Sequence, residues 1–245
     1  MDAFEQNRQA WNRLALDRIK WSTPVSGEVI QAARNGDWSV VLTPTKPVPR
    51  EWFGDIRGKD LLGLASGGGQ QVPIFAAAGA NVTCLDAAEE QLALDRLVAD
   101  REGLSIRTEQ GDMRDLSRFP DNSFDLVFNP CSTSFVESVL PIWREVARVL
   151  RPGGALLTGF TNPWFALFDI PAFERGELVV TKKLPVREEW EGIVEFSHTL
   201  QDQIGGQLQA GLHLTDMFED EWDAYGALFG VAPAFIATRA VLPVR

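Results

Sequence analysis

Cysteine occurs only twice and histidine only twice in the 245 residues. Two thiols as far apart as Cys84 and Cys131 form neither a disulfide framework nor a zinc spacing, so both read as free, with Cys131 the nearer to a site. No metal centre is expected. Apolar runs are short as well, none approaching the ~20 residues of a membrane-spanning helix. The opening MDAFEQNRQAWNRLALDRIKW is too polar for a signal peptide, and the expectation is a cytoplasmic protein with no membrane partner. Positive charge is in deficit: 23 Lys and Arg stand against 34 Asp and Glu, a net charge of −11. Such a surface repels phosphate backbones, which argues against a nucleic-acid partner.

What is present is an ordinary globular composition, 45% hydrophobic and 23% charged, with no repeat and no low-complexity tract. Apolar Phe4, Trp11, Leu14, Ala15 and Ile19 fall at helical spacing and predict an amphipathic helix over residues 4–20. Residues 21–49, rich in proline, read as ordered loop. Together, residues 1–57 form a helical and loop extension ahead of the main domain, 58–245.

From residue 60 short apolar strands alternate with helices. Strands are expected at 60–65, 81–86, 104–109, 124–129 and 155–160, and helices at 70–78, 88–102 and 136–150, the last stopped by RPGG. This alternation predicts βαβ units and a doubly wound, Rossmann-like α/β domain with a mostly parallel sheet. An insertion over 161–196 follows, with a strand expected at 178–182. A helix at 198–210 and strands at 212–219 and 235–241 close the chain.

Three consecutive glycines, Gly67 to Gly69, sit between the first strand and the first helix. Ligands of doubly wound folds bind beyond the carboxyl ends of the strands, and glycines there let ligand atoms approach the main chain. Asp86 ends the second strand, where a carboxylate can accept both hydroxyls of a ribose. The dinucleotide fingerprint GxGxxG fits Gly67 and Gly69 but meets Val72 at its third glycine. After the third strand, Asp112 and Met113 suit an adenine, the acid at its amine and the thioether against its face.

On these segments the chain resembles the class I S-adenosylmethionine-dependent methyltransferases. LLGLASGGGQQ is similar to the family's first motif, VTCLD to its second and GDM to its adenine segment. FDLVFNP resembles the fourth strand, and VARVLRPGGALLTGF the helix, turn and fifth strand. LASGGGQQ itself resembles a bacterial subgroup. The resemblance implies a seven-stranded sheet with an antiparallel last strand, and S-adenosylmethionine as cofactor. It also implies Ala65, Ser66, Gly67 and Gly69 at the methionine moiety, Asp86 at the ribose, Asp112 and Met113 at the adenine, and Asn129 beside the reacting centre. Two departures stand out: Gly63 replaces the motif's usual acid and Ala65 its usual glycine. Ser66 is the near candidate for the missing acid's role.

Plainer readings compete. Gly68 relieves a tight turn, Asp86 caps the following helix, Asp112 is a turn residue and Met113 fills the core. For chemistry, His198 is the first candidate general base, followed by Glu195 and Asp202. Asn129-Pro130 only half matches the segment with which amine-methylating members grip a nitrogen, because Cys131 and Ser132 break it. Tryptophans 11, 21 and 38 in the extension and 164 and 190 in the insertion suggest an aromatic acceptor pocket. The reading is a monomeric or homodimeric small-molecule methyltransferase. The alternatives are an NAD-dependent oxidoreductase and a non-catalytic adenosyl-cofactor-binding protein.

Overall fold

In the central strand β1 (Asp60–Leu64), Leu62 and Leu64 point into one hydrophobic cluster and Leu61 into the other, as a period of two requires. All three are completely buried. Burial on both faces is the condition of a parallel sheet between helices, and β1 pairs in parallel with β2 (Asn81–Asp86) and β4 (Phe124–Asn129). β3 (Ile106–Gln110) and β5 (Leu150–Thr161) extend the sheet. β9 (Phe235–Val241) runs antiparallel between β5 and β8 (His213–Asp220). The order is β3-β2-β1-β4-β5-β9-β8: the mostly parallel, Rossmann-like sheet that the alternation predicted, with the seven strands and antiparallel last strand that the family resemblance implied. The computed structural model describes residues 2–169, 171–172, 175–177, 179–180, 182–222 and 233–244.

One face is covered by α3 (Gln71–Ala77), α4 (Glu89–Glu102) and residues 38–56, whose Trp38 packs edge-on, and Phe53 tilted, against Phe75 of α3. The other is covered by α5 (Leu140–Val149), centred on the fully buried Trp143. No described helix is long and apolar enough to cross a membrane.

Several boundaries differ from the expectations. α1 (Ala3–Leu16) stops short of residue 20, because Arg18 takes a left-handed φ of +54°. The stretch expected as loop holds α2 (Gly27–Arg34), whose Ser26 hydroxyl caps the Val29 amide. α5 starts at residue 140 rather than 136, with Pro141 in its first turn, where a missing N–H costs nothing. RPGG does not precede the fifth strand but lies within β5, where the pairing with β4 shifts register.

The insertion contains a hairpin that the sequence reading missed, β6 (Val186–Trp190) and β7 (Ile193–Ser197). Glu191 and Gly192 at its turn both have positive φ, the geometry of a two-residue hairpin turn. Of the strand expected at 178–182, residues 178 and 181 lie outside the described residues, and Val180 makes only an isolated bridge to Phe168. The helix expected at 198–210 is a π turn (Gln201–Gly205) running into α6 (Gly206–Gln209).

Candidate active site

The strand order reverses between β1 and β4, and a cavity of about 560 Å³ opens there at the carboxyl ends of the strands. Its sheet end starts at Ala65, which leaves β1 with φ +48° while its N–H donates to the Leu85 carbonyl at 2.7 Å. This is the position where the family motif has glycine, and an alanine held there is strained by about 1–2 kcal/mol. Gly63, the motif's missing acid, has no room for a side chain: a Cβ would lie 2.5 Å from Ser66 Oγ and 2.7 Å from Val72 Cγ2. Ser66 therefore occupies that space. Its hydroxyl is buried at the cavity wall without a hydrogen-bond partner, an unmet group of the kind a bound polar ligand satisfies.

The glycines are explained more by protein than by ligand. Gly67 N–H donates to Asp86 Oδ2 at 3.0 Å, Gly68 N–H to the Gln91 carbonyl at 3.0 Å and Gly69 N–H to Asp95 Oδ1 at 2.9 Å. A Cβ on Gly68 would press on Gln91 and the Trp21 carbonyl, and one on Gly69 on the Leu94 carbonyl and Pro24. The missing side chains let α4 and residues 21–24 close over the turn. Gly67 lines the cavity, whereas Gly69 does not.

Asp86 accepts Gly67 N–H with one oxygen and Ala88 N–H, at 2.9 Å, with the other. It thus joins the glycine turn to the start of α4 and still faces the cavity. Desolvation pushes its pKa up to about 6 against the pull of these amides. Behind it Asp95 is completely buried, with Oδ2 unpartnered, and burial pushes it up to about 8.

Asp112 also lines the cavity, its carboxylate gripped by Arg114 at 2.6 Å. Met113 belongs both to the wall and to the core beneath it. Asn129 is not brought into the cavity. Completely buried, it donates to the Leu64 carbonyl and Ser132 Oγ and accepts from Thr158 Oγ1, lacing β1, β4 and β5 together. Its neighbour Cys131 does line the cavity, with its thiol pushed up by burial.

The far end is roofed by four separate stretches: α1 with Trp21, residues 41–44, residues 161–169 and the β6–β7 hairpin. Asn7 fastens this roof. Its amide donates to the Phe135 carbonyl at 3.0 Å and the Val194 carbonyl at 2.9 Å, and accepts Val194 N–H at 2.6 Å. Sequence reasoning missed Asn7, because a polar residue on an amphipathic helix carries no signal of its distant partners. Trp11, Trp21 and Trp190 line the cavity; Trp38 packs in the core and Trp164 donates to the Pro233 carbonyl.

His198 lies in this wall, its Nε2 3.0 Å from the Thr133 carbonyl. Burial lowers its pKa, outweighing the backbone groups of Thr133 and Val136 that favour the charged form. The ring is thus neutral at neutral pH. Glu195 faces the cavity too, with burial raising its pKa, while Asp202 is absorbed in a local cap with Thr199 and does not reach the cavity.

Comparison with known proteins places this geometry. The model of the methyltransferase domain family matches residues 62–158. An uncharacterized methyltransferase of Bacillus subtilis, YbaJ, is 43% identical over 228 residues, covering 88% of this chain and 89% of that protein. An S-adenosylmethionine-dependent methyltransferase from Mesorhizobium loti shares the fold with a TM-score of 0.63 at 22% identity, covering 78% of this chain and 94% of that one. A second structure, the 1,6-didemethyltoxoflavin-N1-methyltransferase of Burkholderia thailandensis with bound 1,6-didemethyltoxoflavin and S-adenosylhomocysteine, shares it with the same TM-score of 0.63 at 13% identity. It covers 98% of this chain and 88% of that one. With a relative this similar along nearly its whole length, and with this sheet, the chain belongs to the class I S-adenosylmethionine-dependent methyltransferases.

Proposed function

We propose that this methyltransferase acts on a small-molecule acceptor enclosed between the strand tips and the roof. The observation that carries this is the enclosure itself. The cavity, about 560 Å³, falls within the range of small-ligand pockets, and its far wall is aromatic. The Burkholderia protein, aligned over 98% of this chain, holds bound 1,6-didemethyltoxoflavin beside S-adenosylhomocysteine. A net charge of −11 disfavours nucleic-acid acceptors.

Bound S-adenosylmethionine supplies a methyl group already activated on a sulfonium. The protein's part is then to hold an acceptor atom about 3 Å from that methyl and to keep water out. In this reading Ala65, Ser66 and Gly67 face the amino-acid portion of the cofactor, and Asp86 accepts the ribose hydroxyls. Asp112 and Met113 meet the adenine. Gly69 and Asn129 act one layer back, through Asp95 and through the β1–β4–β5 lacing. His198, neutral through burial, takes the acceptor's proton. Residues 1–57 and 161–196 form the acceptor half, and residues 58–160 the cofactor half.

The test is transfer of label from methyl-labelled S-adenosylmethionine into a mixed cell extract. Label is expected in the small-molecule fraction. Label confined to precipitable protein or RNA would overturn the reading.

A further inference from the structure

Beyond the cofactor half the charge of the cavity is one-sided. Among the described residues two cations line it, and both are committed: Arg8 holds Glu5 through bonds of 2.8 and 2.7 Å, and Lys182 holds Glu188. Glu195 sits directly opposite Glu188 in the β6–β7 register and faces the same space. Like charges directly opposite on an antiparallel pair destabilise it, and Lys182 relieves only one of the two. Among the described residues no Lys or Arg forms an ion pair with Glu195. Asp169, across the roof, caps the Ala172 amide at 2.8 Å, and among the described residues no Lys or Arg forms an ion pair with it.

Around this surplus of negative charge stand aromatic rings, among them Trp11, Phe135, Trp190 and Phe196. Aromatic faces attract a desolvated cation through the negative potential of the ring face. An anionic acceptor, a carboxylate or phenolate, would meet Glu195 and Asp169 as like charges with no free counter-ion. A cationic acceptor meets both kinds of group favourably.

We propose that the methyl acceptor is an amine, recognised as its ammonium form by Glu195 within the aromatic wall. This rests on the small-molecule reading above. The ammonium gives one proton to the neutral His198 ring. The freed nitrogen lone pair forms the new N–C bond as the C–S bond breaks, its electron pair staying on sulfur, so that a sulfonium becomes a thioether. The product departs as a methylated ammonium, and His198 returns its proton to solvent.

The test passes the small molecules from the label-transfer experiment over cation- and anion-exchange columns at neutral pH. Labelled product held by the cation exchanger, and stable to mild base that cleaves esters, is the expected result. Label in the neutral or anionic fractions overturns the amine assignment and leaves the small-molecule reading standing. Label in no small molecule overturns both. With the labelled amine in hand, Glu195→Gln is expected to raise its KM at least tenfold while S-adenosylhomocysteine affinity stays within threefold of wild type, which also shows that the variant is folded. An unchanged KM removes Glu195 from acceptor recognition.

Discussion

The two ends of the cavity are built by different means. At the sheet end the polar groups come from one stretch of chain, Ala65 to Met113, at the tips of β1, β2 and β3. Main-chain amides and carboxylates fix one another there: Gly67 with Asp86, Gly69 with Asp95, Ala88 with Asp86. At the roof, side chains from four distant segments meet, tied by such contacts as Asn7 with Val194. A ligand common to a whole family is met by a scaffold that the strands and turns impose. On the proposed reading, the acceptor, a ligand particular to one member, is met by segments outside the sheet.

Four substitutions sharpen or break this contrast. The largest effect is expected from Gly68→Ala. Its φ of +117° and a Cβ only 2.9 Å from Gln91 Oε1 and 3.0 Å from the Trp21 carbonyl would force α4 and the 21–24 segment off the turn. Strain of about 1–3 kcal/mol and a loss of S-adenosylhomocysteine affinity on the order of 100-fold should follow, read by thermal shift with and without ligand. Retained affinity would show that the turn does not need its close cover.

Asn129→Ala comes next, since it strands a buried carbonyl and two hydroxyls. Urea denaturation should show a loss of about 2–3 kcal/mol, with S-adenosylhomocysteine affinity of the folded fraction nearly unchanged. Lost affinity at unchanged stability would move Asn129 from the scaffold to the cofactor.

Asn7→Ala should cost about 1–2 kcal/mol. Its specific mark is a raised acceptor KM beside an unaltered cofactor affinity, because the roof loosens and the sheet end does not. An equal loss at both ends would mean the two halves are not separable. Smallest is Ala65→Gly, which removes the left-handed strain and should stabilise by up to about 1 kcal/mol. Destabilisation would mean that the alanine methyl packs more than it strains.

The same contrast explains what could be read from the sequence. That Asp86, Asp112 and Gly67 line the cavity was legible, because a strand, a turn and a helix in succession place them within a few residues of the signals that define those elements. Asn129 and Gly69 were legible as motif members, but their roles were not. A sequence shows that Asn129 ends a strand, not that Leu64, Ser132 and Thr158 use up its hydrogen bonds. The roof was largely illegible. Glu191-Gly192 between VREEW and IVEFS is a usable hairpin signal, and Ser26 before α2 a usable cap, yet neither indicates what the element packs against. The pairing of Glu188 with Glu195 follows only once that turn is known. His198 was singled out for its chemistry alone, and the burial that lowers its pKa is something no local pattern reports.

The central claim is that a single carboxylate at the tip of β2 holds the cofactor's sugar. Calorimetric titration of S-adenosylhomocysteine into wild type and Asp86→Asn from pH 5 to pH 8 tests it most directly. Burial places the unliganded Asp86 pKa at about 6, and the ribose hydroxyls bind its ionised form. Wild-type affinity should therefore level off above pH 6 and fall below it, approaching tenfold per pH unit at the acid end. Asp86→Asn should bind at least tenfold more weakly at pH 8, with that dependence gone. Equal affinities for the two proteins, with the same pH profile, would contradict the account.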